Sequence, residues 1–337
     1  MEGSQARISQ ALLAPLPEWA RPSNPMLRFV LQGIQQRGTV LRWLLRIGIV
    51  LMLLSLLAIS FWFYDDNNPL GMADAVDSAV FTVLYLPLVA LQAVALLLAF
   101  FVTANRVGLE RQRGRWEALK ITSHGAEMVV RAQWAATFYQ LRWLLVLLLV
   151  PRLLFTGLLL IDLGDNQGYT LDLYVTGITP DVPLEVAILL LAALMTVALM
   201  QIPVLVGLNS AIGLLLAVST NNRTLALIVR VVVVLAEMAL VALALGAGQD
   251  VLDRTLWTYA FPAADTTGDW FKLLFFGALG DQSLRFMNLG TFLRTWSDVD
   301  YAVTLGGALL AILGIEVVLT NRLLVIATRR ASRPSGD

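Results

Sequence analysis

The chain has 337 residues, 58% of them hydrophobic and only 14% charged, with 24 basic against 24 acidic side chains and a mean hydropathy of +0.74. Soluble domains carry roughly 25% charged residues, so this is an integral membrane protein, and its zero net charge gives no overall basic field for nucleic acid. The lack of Cys excludes disulfides and thiolate metal sites. The single His124 excludes a multi-histidine metal site, and neither Lys120 nor Lys272 follows a Gly as a nucleotide-binding P-loop requires.

In chain order, the first 46 residues are polar to mixed, with no visible cleavable signal peptide. Residues 1–24, with Pro15, Pro17 and Pro22, read as loosely ordered. Asn24-Pro25-Met26-Leu27-Arg28 then opens an amphipathic stretch, with Phe29, Val30 and Ile34 set against Arg28, Gln32, Gln35 and Arg37. A cytoplasmic N-terminal segment therefore covers 1–42, a transmembrane domain 43–326 and a cytoplasmic tail 327–337. A helix needs about 20 apolar residues to cross a bilayer, and six stretches meet that criterion: 43–64, 80–103, 135–161, 184–218, 224–247 and 302–326. The fourth is too long for one upright span. Pro203, Gly207 and Gly213 interrupt it without a polar loop, so it reads as one long, kinked or tilted helix.

Arg sets the orientation. Segments 1–46 and 104–134 and the tail are rich in Arg, whereas 65–79 and 162–183 each carry four Asp and no base. Arg excess marks the cytoplasmic side, which puts both termini inside and makes 248–301 a long external segment. Within it, Trp270 to Phe276 and Leu284 to Trp296 have apolar residues at helical spacing but are too short to span. They read as interfacial or re-entrant helices at the outer mouth of the bundle.

The most informative stretch lies between the second and third spans: Asn105 to Thr122 mixes acids, bases and a Trp. It reads as a short helix that docks a cytoplasmic partner. Glu117 can pair with Arg113 one turn away, and Trp116 and Leu119 supply an apolar anchor of the kind found at interface hot spots. His124 beside it reads as an exposed or capping residue, since no nucleophile–carboxylate set surrounds it.

Three places together resemble the type-2 ABC exporter permease family. They are the Asn24-Pro25-led helix, the segment Leu109-Glu110-Arg111-Gln112-Arg113-Gly114-Arg115-Trp116-Glu117-Ala118-Leu119, and Val206-Gly207-Leu208-Asn209-Ser210-Ala211 followed by the polar Ser219 to Thr224. The second is similar to the family's Glu-Arg-x-x-Gly-Thr-x-Glu-x-Leu segment, with Arg115 in place of Thr and no Pro after the Leu. The resemblance implies that this segment is a coupling helix contacting a separate ABC ATPase subunit through Glu110, Arg113, Gly114, Arg115, Trp116, Glu117, Leu119 and Lys120. It also implies a second permease copy as a homo- or heterodimer partner, and a prokaryotic cytoplasmic membrane. ATP and Mg would be bound by the ATPase, with no cofactor and no enzyme activity on this chain. The fold expected is an all-α integral membrane protein: a six-span helical bundle with an N-terminal amphipathic surface helix, the cytoplasmic coupling helix, and external re-entrant or interfacial helices before the last span.

Arg142, Arg152, Arg230, Glu237 and Glu316 fall inside the expected spans, where a charge costs at least about 2.5–3.5 kcal/mol and must face the bundle, water or a partner. At about 1.5 Å per residue, Arg152 lies about 25 Å and Glu237 about 20 Å from the cytoplasmic end. That match predicts a buried ion pair between spans three and five, the alternative being a polar lining for a substrate headgroup. Arg142 can snorkel. Gln92, Gln201 and Asn209 read as interhelical hydrogen-bonding residues, with Gln201, Asn209 and Glu316 kept among the candidates for the path. The function expected is a permease subunit that dimerises and couples a partner's ATP hydrolysis to outward movement of substrate. The competing reading is a non-transport membrane anchor or assembly subunit of a larger complex. An intramembrane enzyme is disfavoured, because the spans hold no paired acids, His cluster or Ser/Lys pair.

Overall fold

The computed structural model describes residues 17–21, 24–35, 48, 50, 51, 53–58, 76–112, 125–176, 181–220, 222–257, 266–288 and 299–332. Among these there is no β-strand. The helices are α1 (Pro25–Gln35), α2 (Val76–Gln112), α3 (Gly125–Thr176), α4 (Leu184–Ser219), α5 (Arg223–Trp257), α6 (Thr266–Phe275) and α7 (Leu305–Ala331). Five of them, the last together with the 3-10 turn Ala302–Thr304 before it, provide stretches long and apolar enough to cross a membrane: Phe81–Asn105, Gly125–Ile161, Leu184–Ser219, Thr224–Leu252 and Ala302–Ala331. The chain is therefore an all-helical, multi-pass membrane protein. Of the sixth expected span, 43–64, the described residues 48, 50, 51 and 53–58 are helical, and the remainder lies outside the described residues.

The sequence dictates α1 locally. Asn24 accepts the Met26 amide at its Oδ1 (2.9 Å), satisfying a donor that a helix start leaves orphaned, while Pro25 sits where no amide is needed. The apolar face of α1 packs on α3, with Leu27 against Ala135 and Ala136. Tyr139 ties the preceding turn down by donating to the Ala20 carbonyl at 2.8 Å.

α4 is the central helix and packs against α2, α3 and α7. Its 36 residues run without interruption through Pro203, so it would be about 54 Å long. Small residues let its neighbours approach closely. A Cβ on Gly213 would lie 2.2 Å from Thr103 Oγ1 and 2.6 Å from the Phe100 carbonyl oxygen, so only Gly fits at this crossing of α2 and α4. α5 stands apart. Only 6% of its apolar window is buried, against 33–44% in the other four, so most of its surface faces away from the bundle.

Two expected loops are in part helix. α3 has 52 residues and continues through 162–176, past the apolar stretch, and α5 continues through 248–257. Helix propagation adds one backbone bond per residue, so a helix already nucleated in the span extends into polar sequence, here through Gly164 and Gly168 in α3 and Gly248 in α5, none of which is followed by a Pro within the extension. The external stretch expected as two helices contains α6, one π-helical turn at Phe276–Gly280, and a 3-10 turn at Arg285–Met287. Of the second expected helix, Leu284 to Trp296, residues 289–296 lie outside the described residues.

Candidate functional site

The residues after α6 double back into the bundle. Phe276–Gly280 forms a π-helical turn, Asp281–Ser283 turns the chain sharply, and Leu284, Phe286 and Met287 are buried beyond it. Gln282 and Ser283 both adopt positive φ, at 57° and 62°. A left-handed conformation is unfavourable for L residues and persists only where the surroundings over-determine it. The surroundings here are polar side chains from three helices.

Arg152, on α3 immediately after Pro151, is completely buried. Its Nη1 donates to the Gln282 carbonyl at 2.8 Å and to the Ala198 carbonyl of α4, and its Nη2 donates to the Asp281 carbonyl at 3.3 Å. With the Gln92 amide set in the orientation that satisfies both neighbours, its oxygen accepts from Arg152 Nη2 at 2.6 Å and its nitrogen donates to the Asp281 carbonyl at 3.2 Å. Gln201 of α4 donates to the Ala278 carbonyl at 2.6 Å and accepts from Ser283 Oγ at 3.2 Å. A buried backbone turn is tolerated only where protein groups satisfy its polar atoms, and these side chains do so.

Asp281 is the acidic member of the cluster. Its Oδ2 accepts from the Arg285 amide at 2.7 Å and from the Tyr85 hydroxyl at 3.3 Å, while Oδ1 is buried with no hydrogen-bond partner among the described residues. The Arg285 guanidinium lies over the Tyr85 ring, 5.2 Å from its centroid. Burial pushes the Asp281 carboxyl up from its usual 3.8 to about 6, against the opposing pull of the Arg285 amide and of the Arg152 and Arg285 charges.

The expected Arg152–Glu237 ion pair does not form. Glu237 of α5 instead accepts from the Asn209 amide of α4 at 2.9 Å. Matching depth did not bring the charges together because α5 lies at the edge of the bundle, and backbone carbonyls already take both terminal nitrogens of the guanidinium. Of the other candidates, Gln201 joins Arg152 at the loop, Asn209 meets Glu237, and Glu316 is buried on α7 with its Oε2 unpartnered among the described residues. Arg142 stacks on the exposed Trp143, and Arg230 bonds the Asn105 side chain at 2.7 Å and the Ala104 carbonyl at 2.6 Å.

Of the expected ATPase interface, Glu110 lies near the end of α2, and Arg113, Gly114, Arg115, Trp116, Glu117, Leu119 and Lys120 lie outside the described residues. The sequence reading did not single out Tyr85, Asp281, Gln282 or Ser283. The available signal was a polar triplet, Asp281-Gln282-Ser283, between two apolar runs and preceded by Gly277 and Gly280.

Among the described residues, no group of three or more His, Asp or Glu is placed to hold a metal ion. The cluster can grip a backbone turn or an anion, but it holds no nucleophile–base pair. The chain matches no known family profile, no curated protein and no solved structure.

Proposed function

We propose that the chain is the membrane subunit of an ABC-type exporter. It pairs with a second permease copy, docks separate ATPase subunits at its Arg-rich end, and couples their ATP hydrolysis to movement of substrate across the membrane. In this reading the first apolar stretch is the sixth span, both termini are cytoplasmic, and the path lies between the two copies, because one bundle of six helices does not readily enclose it.

The observation that carries the reading is the course of α2. Its apolar stretch ends at Asn105, yet the helix continues to Gln112 and so runs directly into the Glu-Arg-x-x-Gly-x-x-Glu-x-Leu segment. A helix continuous with a span is a stiff connection, which a motor pushing from the cytoplasm requires. Other polar contacts gather at the same end. Arg330 near the end of α7 donates to Ser219 at the end of α4, and Arg230 of α5 reaches Asn105 of α2.

The test is co-purification of the chain with its cognate ATPase. Trp116→Ala combined with Glu117→Arg should abolish association and the ATP turnover that depends on it. Unchanged association together with unchanged turnover would sink the reading.

A further inference from the structure

Four polar side chains from three helices are turned on one loop. Arg152 of α3, Tyr85 and Gln92 of α2 and Gln201 of α4 all bond residues 278–283. Each of these helices carries its interior proline at the same level: Pro87 lies between Tyr85 and Gln92, Pro151 directly precedes Arg152, and Pro203 follows Gln201 by two residues. A proline deletes a rung of the helical ladder and lets the helix bend there, so the walls are most deformable around the loop. The loop is itself poised. Two successive L residues sit at positive φ beside a π-helical turn, the kind of irregularity that marks moving or functional segments.

The charges add a constraint. Every acceptor of the Arg152 guanidinium is neutral: the carbonyls of Ala198, Asp281 and Gln282 and the Gln92 amide oxygen. Its Nε has no partner among the described residues. The negative charge that faces it is the Asp281 carboxylate, on the same loop. If the loop lifted, Arg152 would lose two carbonyls and its counter-charge together. A guanidinium stranded inside a membrane bundle is strongly unfavourable, so a state with the loop out needs another anion in its place.

We propose that Arg152, with Gln92 and Gln201 beside it, is a phosphate-binding site that the 278–283 loop fills from within, and that a phosphate group exchanges with the loop. The donors converge from three helices, and the guanidinium keeps a spare N–H. That arrangement suits a tetrahedral oxyanion better than a planar one. The phosphate comes either from a lipid headgroup or from solution. The exchange requires no ATPase, so it stands or falls separately from the coupling reading.

The chain has no Cys, so Ser283→Cys places a single thiol at a fully buried position of the loop. The purified protein is placed in nanodiscs of phosphate-free galactolipid and treated with a hydrophilic maleimide under three conditions: galactolipid alone, galactolipid with phosphatidic acid, and galactolipid with inorganic phosphate in the buffer. Labelling should be slow in the first and about tenfold faster in the second or the third, according to the source of the phosphate. Adding Arg152→Gln should raise the basal rate and abolish the acceleration.

No labelling under any condition would make the loop a fixed plug and overturn the proposal. Equal, fast labelling in all three, or full acceleration in the Arg152→Gln background, would overturn it as well. If Arg152→Gln does not fold, Gln201→Leu takes its place. It removes the donor to Ala278 and one donor to the phosphate but keeps the Arg152 charge, so basal labelling should rise and the acceleration should shrink without vanishing, and an unchanged basal rate would refute the latch.

Discussion

Arg152 and Asp281 meet in one buried site without forming a direct charge pair: the guanidinium takes the Asp281 carbonyl at 3.3 Å, while the carboxylate turns to Tyr85 and the Arg285 amide. The backbone of the loop, rather than its acid, is what the arginine grips. Substitutions should therefore couple Arg152 to the loop and to Gln92, and leave it independent of Glu237.

Arg152→Met strands buried carbonyls and should cost about 3 kcal/mol, read as a lower melting temperature in detergent. Glu237→Gln keeps an acceptor for Asn209 and should cost less than about 1 kcal/mol. The double variant should be additive within about 0.5 kcal/mol, as expected for groups that share no partner. Arg152→Met with Gln92→Leu should be clearly non-additive, because the two side chains bond each other and the same carbonyl. Recovery of stability in the Arg152/Glu237 double variant would show a contact between them.

Asp281 makes stability depend on pH. Its folded value is raised to about 6 and its unfolded value is near 3.8, so between these the folded chain holds a proton that the unfolded chain has released. Stability is then greatest below the unfolded value, falls as pH rises from about 4 to about 6, and levels off above. The groups facing the carboxyl are Tyr85, Arg152 and Arg285. In detergent the melting temperature of the wild type should drop across this window relative to Asp281→Asn. Parallel curves for the two proteins would contradict the assignment.

Gly213 and Gly246 give a matched pair. A Cβ at Gly213 collides with the α2 backbone, whereas at Gly246 of α5 it meets nothing within 4 Å. Gly213→Val should cost at least about 1–3 kcal/mol by overpacking. Gly246→Val should stay within about 0.5 kcal/mol of the parent, as a surface change does. Equal melting temperatures for the two variants would mean that α2 and α4 do not cross at Gly213.

Topology is directly measurable in a chain without Cys. A thiol introduced at Ser4 or Ser335 should resist a membrane-impermeant reagent in intact cells, and one at Asn67 should react. Labelling at either terminus would reverse the orientation drawn from the Arg asymmetry.

The five apolar helices and the Asn24-capped α1 could be read from sequence because their causes are local: uninterrupted apolar length, and a cap side chain beside a proline. The continuity of α4 through Pro203 was legible for a related reason, since no run of polar residues divides the stretch into two spans with a loop between them. The partner of Arg152 was not legible. Its acceptors are mostly backbone carbonyls, which every residue has and which leave no mark in composition, and those of the loop lie 129 and 130 positions away. Pairing charge with charge by depth then led to Glu237, which an amide already satisfies.

That separation orders events during synthesis. When α3 leaves the ribosome, the Asp281 and Gln282 carbonyls that Arg152 will bind have yet to be made. At 5–20 residues per second their arrival takes on the order of ten seconds. Through that interval the nascent bundle carries an incompletely satisfied arginine, so α2, α3 and α4 cannot reach their final arrangement one after another as they emerge. The loop before α7 is the keystone of assembly: a chain truncated ahead of it would insert its helices and still lack the contact that closes them around Arg152.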